Sequence, residues 1–249
     1  MIGIIDSGFG GLSVVAEVFA QQKKYPFVYF GDNANNPYGT KSQEEITACA
    51  YHIIDHLHDN YGVTTVFIAC NTMCSASFPD LVARYPHIHF ENVAKYGAIA
   101  AQMTFNNHVT VLATNFTAKS HLYKRYIQEL DPEIHVQELP AQDFVQQVES
   151  GVVNMATIKD VIQQVDKKSD VLVLGCTHYP FLYNQIRELL SEHIQIVDPA
   201  VSLVASCDYP AVKDWEEQSV YLTSGSVDCF GTFLKQHNMD QYQIKIKKV

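Results

Sequence analysis

Asp170-Val171-Leu172-Val173-Leu174-Gly175-Cys176-Thr177-His178-Tyr179-Pro180 is the stretch on which the fold reading rests. An unbroken aliphatic run of this length predicts a strand buried on both faces, as parallel sheets require. Gly175 ends the run, and Pro180 suits the first turn of a following helix. The same order appears far upstream: Thr65-Val66-Phe67-Ile68, then Ala69-Cys70-Asn71-Thr72, then a helical stretch from about Ser75. A thiol at the carboxyl end of a parallel strand stands where open α/β sheets build their sites. Two such thiols in matching contexts, residues 64–82 and 170–189, suggest two similar halves facing one another across one cleft.

Outward from these motifs the chain alternates strand and helix. Strands are expected at 2–5, 27–30, 63–69, 88–93, 109–112, 134–138, 170–174, 220–222 and 242–247. Helices are expected at 11–22, 42–60, 95–105, 118–130, 141–149, 154–166, from Pro180, and at 226–236. Such alternation predicts an α/β fold with mainly parallel sheets. No segment rich in Pro, Gly or Ser divides it.

Composition excludes several classes. The 249 residues are 47% hydrophobic, enough for a packed core, and the formal net charge is −10. That balance lacks the basic footprint of a nucleic-acid binder, and Lys245, Lys247 and Lys248 read as a solvated end. The opening Met1–Asp6 is too short and too plain for a secretory signal. No run approaches the roughly 18 apolar residues that a bilayer requires. A cytoplasmic location and no membrane partner are therefore expected, with the six cysteines reduced.

Several motifs admit two readings. Asp6-Ser7-Gly8-Phe9-Gly10-Gly11 could cradle an anion at a helix N-terminus or simply form a tight turn. Asp32, after the second strand, stands where a dinucleotide enzyme keeps its ribose acid. Against that reading, Ser13 replaces the third glycine and Asp6 would repel a pyrophosphate. The Gly31–Gly39 loop is an ordinary turn or a carboxylate seat, with the Tyr38 hydroxyl and the Gly39 amide as donors. Cys70 and Cys176 are buried small residues or thiols whose pKa a helix N-terminus lowers. A zinc site with His178 lacks both a standard spacing and a fourth ligand, so no metal is expected. Cys49, Cys74, Cys207 and Cys229 read as packing residues. His52 and His56 share a helix face that reads as solvated, and Glu149, just before Gly151, reads alone as a surface acid.

Taken together, the motifs resemble the glutamate racemases of the aspartate/glutamate racemase superfamily. The matching residues are Asp6-Ser7-Gly8 with Gly10-Gly11, Pro37-Tyr38-Gly39, Cys70-Asn71-Thr72, Thr114 with Thr117 and Ser120, Val148-Glu149 with Gly151, and Gly175–Pro180. They run in family order over about residues 2–200. The chain departs from the family at Leu139-Pro140, where Cys-Pro is usual, at Lys95-Tyr96-Gly97, where Glu-Pro-Gly is common, and at Cys74.

The resemblance implies two pseudo-symmetric lobes, residues 1–93 with 203–249 and residues 94–202, with the active site in the cleft between them. It implies cofactor-independent interconversion of L- and D-glutamate, in a homodimer that supplies D-glutamate for peptidoglycan. Cys70 and Cys176 are the implied bases, assisted by Asp6 and His178, with Glu149 behind His178. Asn71, Thr72, Thr114 and Thr117 are the implied carboxylate donors, and Ser7 and Thr177 contact the amine or carboxylate. Pro37, Tyr38 and Gly39 would hold the side-chain carboxylate. An aspartate racemase, or a non-catalytic amino-acid binder on the same scaffold, remains as an alternative.

Overall fold

The structure is a computed structural model that describes residues 1–249. The first half runs β1 (Ile2–Asp6), α1 (Leu12–Ala20), β2 (Phe27–Gly31), α2 (Gln43–Tyr61), β3 (Thr65–Ile68), α3 (Asn71–Arg84), β4 (His89–Asn92) and α4 (Val93–Ala101). Next come β5 (His108–Ala113), α5 (Asn115–Ser120), α6 (Leu122–Leu130), β6 (His135–Pro140), α7 (Asp143–Ser150), α8 (Met155–Ile162), β7 (Val171–Gly175), α9 (Tyr183–Leu189) and β8 (Gln195–Val197). The chain ends with α10 (Pro199–Ser206), α11 (Trp215–Gln218), β9 (Val220–Thr223), α12 (Val227–Gln236) and β10 (Lys245–Lys248).

The strands form two sheets, ordered β10-β9-β2-β1-β3-β4 and β6-β5-β7-β8, and every pairing is parallel. β1, β2 and β7 are buried along their whole length, which is why their sequences are continuous apolar runs rather than alternating ones. The chain passes between the sheets twice, through α4 and through α10. These two helices pack on each other, and α10 also packs on α1, so both crossings lie together on one side of the molecule.

Local chemistry sets the element ends. Ser42 and Glu45 form a reciprocal capping box at the start of α2, and Gly62, at φ 61°, ends it in the left-handed conformation. Several boundaries differ from the sequence expectation. The helix after the first cysteine motif begins at Asn71, not near Ser75, because Cys70 itself caps it. The helix expected at 118–130 is two helices, broken at His121 with φ 54°. β8, three residues long, together with α10 and α11, carries no periodic pattern long enough to read.

Candidate active site

Strand pairing brings the motif residues together. In the first sheet Ile5 lies opposite Ile68, so Ser7 and Cys70 emerge from adjacent strand ends. In the second sheet Ala113 lies opposite Gly175, so Thr114 and Cys176 do the same. Both sets line one narrow cleft with only about 10 Å³ of free space. The first sheet and its loops contribute Ser7, Pro37, Tyr38, Gly39, Cys70, Asn71 and Thr72, and the second contributes Thr114, Cys176, Thr177 and His178. Asn36, Gln142 and Val145 also line it. None of these three is expected from the sequence, since a loop Asn, a Gln and a Val carry no motif signal. A roomier groove between α4 and α6, lined by Ala98, Ile99 and Leu130 among others, gathers no comparable set of polar groups.

The two thiols sit in different fields. Cys70 Sγ accepts from the Met73 amide at 3.4 Å and donates to Ser7 Oγ at 3.8 Å. Burial pushes this thiol well above its ordinary pKa. Asp6 adds to the rise, and the Met73 amide offsets only part of it. The helix N-terminus therefore does not lower the Cys70 pKa as expected; desolvation outweighs the dipole. Cys176 Sγ lies 3.6 Å from His178 Nδ1, and His178 Nε2 donates to Glu149 Oε1 at 2.7 Å. Burial opposes charge on His178, but Cys176 and Glu149 together override it and raise the imidazole well above its usual range. A cation thus stands beside Cys176, and a carboxyl group stands near Cys70.

Three expected site residues lie behind the cleft wall. Asp6 is fully buried, and its oxygens accept from the Gly8 amide and the Thr177 hydroxyl, each at 3.0 Å. Burial raises its pKa against the pull of His178 and of these hydrogen bonds. Asp6 therefore meets Thr177 and the turn rather than the cleft itself. Glu149 Oε1 also accepts from the Phe9 amide at 3.0 Å, so this residue is a partly buried anchor and not the surface acid that its local sequence suggests. Thr117 is buried behind Thr114, from whose hydroxyl it accepts at 3.0 Å.

Glycines 8 and 10 serve close approach. Neither has positive φ. A Cβ on Gly8 would collide with Glu149 Oε1, and one on Gly10 with His178 Nδ1 and Thr177 Oγ1. The Asp6–Gly11 turn is thus the surface on which His178 and Thr177, after β7, and Glu149 of α7 rest. Gly39 is similar: a Cβ there would collide with Gln142 Oε1 and approach Thr114 Cβ to 3.0 Å. Thr72 and Thr114 share a hydrogen bond of 2.9 Å across the cleft.

The hydroxyl of Tyr38 corrects an expectation. It donates to Asp32 Oδ2 at 2.6 Å, so what Tyr38 offers the cleft is its backbone and ring rather than a free donor. Asp32 also accepts from Ser224 Oγ at 2.7 Å and from Asn35; it anchors the loop and has no capacity left for a ribose. No group of three or more His, Cys, Asp or Glu side chains is arranged to hold a metal ion. No helix is long and apolar enough to cross a membrane.

The model of the Asp/Glu/hydantoin racemase family matches residues 2–207. The chain is 35% identical over 241 residues to a glutamate racemase of Thermoanaerobacter sp. (strain X514), an alignment covering 92% of this chain and 89% of that protein. Among solved structures it resembles glutamate racemase isoform RacE1 of Bacillus anthracis, with a TM-score of 0.89 and 28% identity, covering 100% of this chain and 97% of that one. It also resembles the glutamate racemase of Francisella tularensis solved with D-glutamate, with a TM-score of 0.84 and 25% identity, covering 100% and 96%. With a paired-thiol cleft between two parallel sheets and relatives of this kind, the chain belongs to the Asp/Glu/hydantoin racemase family.

Proposed function

We propose that this protein interconverts L- and D-glutamate without a cofactor, using Cys70 and Cys176 as the two bases. One observation carries the reading: thiols that end strands of two different sheets line the same small cleft. Racemisation needs a base on one face of Cα and an acid on the other, and two groups on opposite walls meet that need without the substrate turning over.

The electrostatics support a resting state in which Cys70 is a thiol, since burial and Asp6 disfavour its charge, while His178 Nδ1 stands 3.6 Å from the Cys176 sulfur, placed to share a proton with it. Cys176 then removes the α-proton of L-glutamate and Cys70 delivers a proton to the opposite face. The roles exchange for D-glutamate. Asp6 assists Cys70 through the Ser7 turn, His178 assists Cys176, and Glu149 holds His178. The Asn71 amino group is available because Tyr123 donates to Asn71 Oδ1 at 2.7 Å. That group, with Thr72 and Thr114, would stabilise charge developing on the α-carboxylate, about 2.7–4 kcal/mol for a donor of this kind. Thr117 would act through Thr114. Ser7 and Thr177 would contact the amine or carboxylate, and Pro37, Tyr38 and Gly39 would seat the side-chain carboxylate with backbone groups.

The lobes closing on substrate would be residues 1–93 with 203–249 and residues 94–202. The biological assignment is a cytoplasmic homodimer that supplies D-glutamate for peptidoglycan. The test is circular dichroism of L-glutamate incubated with the enzyme and no added cofactor, repeated in deuterated water. Optical activity should decay to zero, with label at Cα of the product, and Cys70→Ala or Cys176→Ala should abolish the decay. Near-normal turnover by either variant, or faster turnover of aspartate than of glutamate, would refute the assignment.

A further inference from the structure

We infer that Asn36 is a further recognition residue of this site, its side-chain carbonyl accepting a hydrogen bond from the α-ammonium group of the bound amino acid. The inference rests on the glutamate reading above and adds a contact that none of the family-matching motifs contains.

Three side-chain amides line the cleft: Asn36, Asn71 and Gln142. Two of their carbonyls are engaged. Asn71 Oδ1 accepts from the Tyr123 hydroxyl, and Gln142 Oε1 accepts from the Asn115 amide at 3.3 Å. Asn36 Oδ1 alone is shielded from solvent with no partner. The nearby carboxylates, by contrast, already hold donors. Both Asp6 oxygens hold donors, and Glu149 Oε1 accepts from both Phe9 and His178. A buried carbonyl without a donor is costly and is rare unless something outside the chain completes it.

The chemistry of the ligand decides what that is. At neutral pH the two carboxylates of a dicarboxylic amino acid only accept hydrogen bonds, and its ammonium is its one donor group. The Asn36 side chain lies against the Asp6–Gly11 turn, where a Cβ on Gly8 would approach Asn36 Nδ2 to 3.0 Å and Cγ to 3.2 Å. It lines the same cleft as Ser7, the partner of Cys70, and immediately precedes the Pro37-Tyr38-Gly39 carboxylate seat. Its carbonyl can therefore hold the amine while the following backbone holds the side-chain carboxylate.

The test compares glutamate with glutarate, which keeps both carboxylates and lacks the amine, on the full-length enzyme. Asn36→Leu keeps the side-chain volume and removes the acceptor. It should raise the KM for glutamate about tenfold or more, the loss expected for a hydrogen bond to a charged group, and leave the inhibition constant of glutarate within about twofold. Asn36→Asp restores an acceptor with negative charge; it should keep glutamate binding close to wild type and weaken glutarate, and it decides the matter if the Leu variant folds poorly. Equal weakening of both ligands by Asn36→Leu, or no change in either, overturns the inference. Failure of the wild-type enzyme to racemise glutamate would instead overturn the reading beneath it, and this inference with it.

Discussion

Replacing Glu149 by Gln should lower the alkaline limit of catalysis without emptying the site. In the native structure Glu149 Oε1 accepts a hydrogen bond from His178 Nε2 at 2.7 Å, with side-chain exposures of 16% and 2%. A hydrogen bond to a charged group is worth about 1.5–3 kcal/mol, and one pKa unit corresponds to about 1.36 kcal/mol. The variant should therefore lose part of the upward shift at His178. Since the imidazolium is the charged partner of Cys176, proton transfer on that side should slow about 10- to 100-fold. The enantiomers have equal free energy, so kcat/KM must fall by the same factor in both directions. The diagnostic is thus the pH profile. His178 has a raised folded-state pKa, so its charged form persists through neutral pH and is lost as pH climbs through that value. Removing the carboxylate moves that loss downward, and the alkaline limb of kcat/KM should shift to lower pH. Stability follows the same sign. The stabilisation from His178 is complete below its unfolded pKa of about 6.5 and disappears as pH rises through the folded value, so urea midpoints of the two proteins should converge at high pH. An alkaline limb that stays in place while activity falls would show that Glu149 does not act through the charge on His178.

Two further substitutions test the packing. Gly10→Ala places a methyl group into His178 Nδ1 and Thr177 Oγ1; it should destabilise the fold by about 1–3 kcal/mol and cut kcat at least about tenfold by displacing the imidazole, and unaltered kinetics would refute the role given to the turn. Tyr38→Phe removes the buried donor to Asp32; it should reduce unfolding free energy by about 1–3 kcal/mol while KM changes little, and a large rise in KM at unchanged stability would return the hydroxyl to the substrate.

How far the site was legible depended on whether its residues act locally. Cys70, Cys176 and Thr114 follow recognisable strands, so their placement at strand ends could be read from apolar runs and turn residues. Glu149 could not be read in this way. Its four-residue context is that of a solvated helix end, and only the approach of Gly8 and Phe9 from the other sheet buries it against His178. Tyr38 failed for a related reason: a hydroxyl's partner, here Asp32, is chosen by how a loop folds back. The pKa of Cys70 illustrates the same limit, because a helix N-terminus is visible in sequence whereas the burial that outweighs it is not. Asn36 and Gln142 have no signal at all outside the assembled cleft.

Periodicity, glycine and proline punctuation, and the repeated strand–Cys–helix order were enough to specify an α/β chain of mainly parallel strands with two thiols at strand ends, because those features follow from backbone geometry and from burial averaged over a few residues. Which groups face one another was decided only when two separate sheets closed on a common cleft. Desolvation, the pairing of His178 with Glu149 and the orphan carbonyl of Asn36 all depend on distances between segments far apart in the chain, and such distances exist only in the folded molecule.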